Sequence, residues 1–261
     1  MFRLDGQVAI VTGGAGKLGS AMCDALAEAG AHVVVAARNL ERCEAKAKTL
    51  SASGVSAMAV ACDATVPADV SAMTAKVLDR FGRIDILVNN AYSGRAGKFE
   101  EMSLDDFEAA FRGAVSSTFL CSQAVLPAMR NQRRGAIINI ASIYGIVSPD
   151  QRIYGNSGLN NPCNYGPAKA AVIQFTRWLA TYAAPDGIRV NAITPGGFYD
   201  AKLSERADYE DVFVPNYAAK TPLGRMGKPQ DLKGAVLFLS SDASEWVTGA
   251  NLVVDGGWTA W

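Results

Sequence analysis

Tyr165-Gly-Pro-Ala-Lys169 sets a phenol and an amine four residues apart, and Ser142 stands at the end of the apolar run 136–141. On an α-helix four residues rise ~6 Å, so Tyr165 and Lys169 share a face. A phenol, a fixed charge to tune it and a hydroxyl to orient a carbonyl oxygen are the parts needed to move a proton on and off an oxygen. Unit charges ~5 Å apart at an effective dielectric of ~20 interact by ~3 kcal/mol, which bounds the effect at ~2 pK units. The expectation is therefore that Lys169 makes Tyr165 a stronger acid. A Tyr-x-x-x-Lys spacing alone arises often by chance; the rest of the chain gives it meaning.

The second group is a glycine turn. Val8-Ala-Ile-Val-Thr-Gly-Gly-Ala-Gly-Lys-Leu-Gly19 reads as strand, turn and helix start, and Gly14, Gly16 and Gly19 fit G-x-G-x-x-G. Small residues let the backbone approach a pyrophosphate, which rests on the helix N-terminus. At the end of the next strand, where an acid would select NAD, the chain reads Val35-Ala-Ala-Arg38-Asn39. Arg38 can pair with a 2′-phosphate, and Lys17 adds a second positive charge, so NADP(H) is expected over NAD(H). The alternative is a solvated Arg38 stacked on adenine.

The elements that must position these residues alternate. Apolar, often β-branched runs predict strands at 7–12, 32–37, 55–61, 84–89, 136–141, 189–194 and 251–254. Helices are predicted at 18–29, 40–50, 67–81, 104–131, 165–183 and 230–240, with Ser103 and Pro229 as start signals. Strands apolar throughout, alternating with helices, imply an α/β parallel sheet covered on both faces, in a single domain over 1–261. Two stretches, 143–164 and 196–223, break the rhythm after strand ends, the edge where such sheets bind ligands.

Composition narrows the field. The chain has 261 residues, 49% hydrophobic and 19% charged, with 25 basic against 25 acidic side chains. No phosphate-neutralising excess points to nucleic acid, and no apolar run approaches membrane-spanning length. The N-terminal Met-Phe-Arg-Leu-Asp-Gly has no apolar signal core. Five scattered cysteines without C-x-x-C read as reduced thiols of a cytoplasmic protein, and one histidine, His32, is too little for a metal site or a triad. No metal is expected.

Taken together and in order, these motifs resemble the short-chain dehydrogenase/reductase family over essentially the whole chain. The matching pieces are Thr12-Gly13 to Gly19, Asp63, Asn89-Asn90-Ala91, Ser142, Tyr165-x-x-x-Lys169, Asn191-Ala-Ile-Thr-Pro195-Gly196 and Val254-Asp255-Gly256-Gly257. The resemblance implies a Rossmann-like doubly wound sheet of about seven strands. It implies that Tyr165 is the general acid/base, that Lys169 lowers its pKa and bonds the nicotinamide ribose, and that Ser142 holds the substrate oxygen. It assigns Gly13, Gly16, Lys17, Leu18, Gly19, Arg38, Asp63, Ala64, Asn90, Ala91, Pro195 and Gly196 to the cofactor, with Asp63 at adenine and Pro195-Gly196 at the nicotinamide. A homotetramer built on the paired helices 104–131 and 165–183 is implied too, and the tail Trp258-Thr-Ala-Trp261 is expected to expose two indoles unless a neighbour covers them.

Four departures stand out. Lys17 occupies a usual glycine, Tyr92 follows Asn-Asn-Ala where glycine is usual, Ala114 replaces a helix asparagine of the proton relay, and Asp200 replaces a threonine. With Ala114 in place, a water or a nearby serine such as Ser116 is expected to substitute. The interval from Ser142 to Tyr165 is about ten residues longer than usual, an insertion expected over the active site. Its polar residues, with Tyr92, Tyr144, Tyr154 and Asn156 as substrate candidates, suit a hydroxylated substrate and resemble sugar-modifying and gluconate dehydrogenase-like members. The expected activity is NAD(P)-dependent interconversion of an alcohol and a carbonyl on a sugar, polyol or sugar acid. A 3-oxoacyl or other ketone reductase, or a non-catalytic dinucleotide-binding scaffold, uses the same parts.

Overall fold

The structure is a computed structural model describing residues 1–261. Seven strands, β1 (Val8–Thr12), β2 (His32–Ala37), β3 (Ala57–Ala61), β4 (Ile86–Asn89), β5 (Gly135–Ile140), β6 (Ile188–Pro195) and β7 (Asn251–Val254), form one sheet. All pairs are parallel and the order is β3-β2-β1-β4-β5-β6-β7. The order reverses between β1 and β4, so the connections leaving their C-terminal ends run to opposite faces of the sheet and open a crevice there.

The central strands β1, β4 and β5 are buried along their whole length because both faces are covered. Val33 and Val35 of β2 and Ala9 and Val11 of β1 pack with Met22 and Leu26 of α1 (Lys17–Glu28) and Leu239 of α8 (Lys233–Ser240). The alternate residues, among them Ile10 and Val34, meet Met73 and Val77 of α3 (Pro67–Phe81), Val125 of α5 (Ser117–Gln132) and Leu179 of α6 (Tyr165–Ala183). On the α1 face, α2 (Leu40–Ser51) covers β2 and the edge strand β3, and on the other α4 (Leu104–Phe111) precedes α5.

All seven predicted strands and all six helices lie within three residues of their predicted ends, and β2, β7, α3 and α6 match to the residue. Ser103 caps α4, its hydroxyl accepting from the Asp106 amide at 3.2 Å. The predicted helix 104–131 is interrupted: Arg112–Ser116 makes a π turn between α4 and α5. Hydroxyls take up its carbonyls, Ser117 Oγ donating to Gly113 O at 2.8 Å and Thr118 Oγ1 to Ala114 O at 2.7 Å.

Behind the site, a buried polar chain fixes strand against helix. Asn89 Nδ2 donates to Asn139 Oδ1 at 2.9 Å and to Ser122 Oγ at 3.1 Å, and Asn139 Nδ2 donates to Thr176 Oγ1 at 2.9 Å. This ties β4, β5, α5 and α6 together through side chains with no access to water. Asn139→Ala removes two of these bonds and is expected to cost about 2 kcal/mol, read as a lower urea midpoint at unchanged m-value.

Candidate active site

The crevice at the strand-order reversal is a cleft of about 420 Å³. Ten residues assigned to the cofactor line it: Gly13, Gly16, Lys17, Leu18, Gly19, Arg38, Asp63, Ala64, Asn90 and Ala91. The glycines are required by contact. Gly13 has φ +64°, and a Cβ on Gly19 would come within 2.2 Å of Gly13 O, so α1 packs directly on the turn. This cradle at a helix N-terminus fits a dinucleotide pyrophosphate.

The side chains refine those assignments. Asn90 Nδ2 donates to Thr12 O at 3.0 Å and Gly13 O at 3.2 Å, so this amide shapes the turn. Asp63 accepts from the Thr65 amide and hydroxyl at 2.9 and 2.7 Å, which holds its carboxyl below the usual range. Lys17 is engaged by the protein itself and does not stand free beside Arg38. Its ammonium turns toward the segment after β6, donating to Phe198 O at 3.0 Å and Tyr199 O at 3.1 Å, with Asp200 Oδ2 at 3.6 Å. The second cation lining the Arg38 end is Arg42, one turn into α2, which also donates to Ala15 O at 2.8 Å. Its spacing of four from Arg38 was the available signal.

A second cleft of about 350 Å³ adjoins the first, and Lys17 lines both. Ser142 and Tyr165 face it together with Tyr144, Tyr154, Asn160, Asn161 and Gly196. Pro195, buried at the end of β6, delivers Gly196 to this wall without lining it. Asn156 is exposed and does not line it; the 3-10 turn Gln151–Tyr154 aims Tyr154 inward, and Asn160 and Asn161 supply the amides. The wall is more aromatic than a count of polar loop residues indicates. Tyr154 stacks on Phe213 at 5.4 Å, and the Tyr144 and Tyr154 hydroxyls lie 3.5 Å apart.

The two segments forming this pocket are joined to each other. Lys220, at the end of α7 (Val214–Lys220), pairs with Asp150, and Asn216 Nδ2 donates to Ile153 O at 3.3 Å. Trp258 completes the packing under Tyr144 and Tyr217, with centroids at 6.1 and 5.8 Å. It is therefore buried within its own chain, and of the two tail indoles only Trp261 is exposed.

Ser142, Tyr165 and Lys169 converge as the spacing requires, but the electrostatics differ. Lys169 is buried, and its ammonium donates to Ile140 O at 2.7 Å, bonding α6 to the end of β5. Burial pushes its pKa down to about 8. The Lys169 ammonium lies 5.8 Å from the Tyr165 ring centroid and 5.3 Å from that of Tyr92. The phenol of Tyr165 is raised, not lowered: burial is the larger effect, and the Ser142 hydroxyl offsets only part of it. Ionising a phenol in a desolvated pocket costs more than a nearby positive charge returns. Ser142 is aimed by its own backbone, its Oγ accepting from the Tyr144 amide at 3.2 Å.

Tyr92 lines the first cleft and meets Tyr165 edge-on, centroids 5.2 Å apart. Ala114 is buried beside Ala110, Ala141 and Ala168. Ser116 is exposed; the serine that lines the cleft near Ala114 is Ser117, which sequence spacing did not single out because the π turn rotates that helix face.

Residues 13–259 match the sequence profile described as Enoyl-(Acyl carrier protein) reductase. The chain belongs to the short-chain dehydrogenase/reductase family. It is 36% identical over 258 residues to a D-threitol dehydrogenase of Mycolicibacterium smegmatis, covering 99% of this chain and 95% of that one. It is 34% identical over 260 residues to the 3-oxoacyl-[acyl-carrier-protein] reductase FabG of Thermotoga maritima, covering 98% of each. It superposes with TM-score 0.88 on a provisionally assigned gluconate dehydrogenase from Agrobacterium tumefaciens, at 32% identity over 100% of this chain and 98% of that one. Like other short-chain dehydrogenases/reductases, the protein is an NAD(P)-dependent oxidoreductase acting on CH-OH groups.

The buried Lys169 makes stability depend on pH. Its folded pKa of about 8 lies below the ordinary lysine value of 10.5, so between these pH values the unfolded chain binds the extra proton. Folding of the cofactor-free protein is therefore penalised below pH 8, and the penalty fades as pH rises toward 10.5. Urea unfolding of wild type against Lys169→Met across pH 7–10 is expected to show the wild type gaining on the variant, by roughly 3 kcal/mol at most.

Proposed function

We propose that the protein interconverts an alcohol and a carbonyl on a small polyol, sugar or sugar acid, with NADP(H) preferred over NAD(H). The observation that carries this reading is the meeting of Ser142 and Tyr165 in a pocket of about 350 Å³ that adjoins the dinucleotide cleft. When bound, the nicotinamide supplies or accepts the hydride.

In this reading Ser142 Oγ, already oriented by the Tyr144 amide, holds the substrate oxygen. Tyr165 exchanges a proton with it; the raised phenol keeps that proton at neutral pH, as a donor to a developing alkoxide must. Lys169 keeps Tyr165 at a fixed distance from β5 through its bond to Ile140 O. The segments 143–164 and 196–223 act as active-site loop and substrate lid, with Tyr144, Tyr154, Asn160 and Asn161 available to hydroxyl groups. Arg38 and Arg42, with no acid at the end of β2, support selection of the 2′-phosphate. Pro195 and Gly196 are assigned to the nicotinamide side.

A homotetramer is supported by apolar side chains left open on α5 and α6. Phe119, Trp178 and Tyr182 are 44%, 56% and 50% exposed, whereas Leu179 belongs to the core. Five unpaired cysteines, four of them buried, support a reducing, cytoplasmic setting.

A second reading, reduction of a 3-oxoacyl thioester, is favoured by the FabG relative and by the apolar part of the pocket wall, Leu159, Phe213 and Met226. Turnover of threitol, other tetritols or gluconate with NADP+ supports the first reading; turnover of acetoacetyl-CoA with NADPH and of none of the polyols overturns it. Tyr165→Phe is expected to lower kcat at least a thousandfold while retaining cofactor binding. Thermal shift is expected to be larger with NADP+ than with NAD+, and Arg38→Ala together with Arg42→Ala is expected to remove the difference.

A further inference from the structure

Lys17 is the only side chain that belongs to both clefts and carries a charge between them. An ammonium has three N–H donors, and three acceptors meet it: Phe198 O, Tyr199 O and the Asp200 carboxylate. All three lie on the segment that follows β6, and none lies on the glycine turn from which Lys17 springs.

Both ends of this link are built. On one side Lys17 is the first residue of α1, whose approach to the turn is fixed by the Gly13–Gly19 contact. On the other, the Asp200 amide donates to the Tyr209 hydroxyl at 2.7 Å, and the Asp200 carboxylate accepts from the Lys202 amide at 3.1 Å. Lys17 and Asp200 are two of the positions at which the chain departs from its family's usual residues, and here they meet. The link runs from the phosphate cradle of one cleft to the wall of the other, which carries Phe198, Leu203 and Tyr209.

We propose that Lys17 is a positioning residue that couples the two clefts: it fastens the 196–223 segment to the glycine turn, so that a dinucleotide held at the turn also holds the substrate wall closed. The proposal rests on the reading that a nicotinamide dinucleotide occupies the 420 Å³ cleft. The Asp200 contact is the longest of the three. The ammonium can therefore turn one N–H toward a pyrophosphate while keeping both carbonyls. A dinucleotide then gains a cation and the segment keeps its anchor. Coupling of this kind is reciprocal: whatever orders the segment raises cofactor affinity by the same factor.

The test is hydrogen exchange of the full-length protein, read by mass spectrometry over 196–223, free and with saturating NADP+ (or NAD+ if only that raises the melting temperature). In the free protein Lys17→Met is expected to speed exchange there about fivefold and Asp200→Asn about twofold, with β1 and β4 unchanged. In the wild type and in Lys17→Arg, the dinucleotide is expected to slow exchange of the segment; in Lys17→Met it is expected to leave it fast. Equal slowing in wild type and Lys17→Met, or faster exchange of the segment on binding, would overturn the coupling. If Lys17→Met does not fold, Asp200→Asn with wild-type exchange overturns it. Failure of either dinucleotide to shift the melting temperature of the wild type would instead sink the reading on which the proposal rests.

Discussion

One buried ammonium sets the geometry of this protein's site. Lys169 has no carboxylate beside it and a single protein acceptor, the carbonyl of Ile140. That bond joins the first turns of α6 to the last residue of β5, and Ser142 lies two residues beyond. A helix can slide or roll on an apolar sheet at little cost, since dispersion contacts are not directional. A charge-assisted bond at 2.7 Å in a dry interior is directional, and it fixes the face on which Tyr165 appears. The polar chain Asn89–Asn139–Thr176 does the same about two turns further along α6, so the helix is located at two levels.

The fold was legible because covered parallel strands have a simple signature. Each of the seven runs is mostly apolar, and start signals such as Ser103 and Pro229 mark where helices begin. The π turn at Arg112–Ser116 was not legible: it uses residues compatible with a continuous helix, and what displaces them is the loop after β4, which passes so close that a Cβ on Gly113 would overlap Ser93 O. That contact is tertiary, and no local spacing reports it.

The candidate site was legible as a set of residues and less so as a set of directions. Ser142, Tyr165, Lys169 and the glycine turn fall where the spacing puts them, because short motifs on rigid elements carry their own geometry. Long or loop-borne side chains do not. Lys17 bends toward backbone carbonyls that are 181 and 182 residues away in sequence, Asn156 lies off the substrate pocket while Asn160 and Asn161 line it, and Trp258 finds a cover inside its own chain. The acidity of Tyr165 failed for a different reason: charge spacing can be read from a sequence, whereas desolvation belongs to the assembled pocket.

The Asp150–Lys220 pair and the Tyr154–Phe213 stack have a consequence for descent and redesign. The two halves of the substrate wall come from loops after different strands, yet each is shaped against the other. A loop exchanged from a homologue without its partner would lose one ion pair and one aromatic neighbour across the seam. Selectivity in this scaffold should therefore be inherited in blocks, with 143–164 and 196–223 drifting together while the nucleotide half of the chain stays as it is.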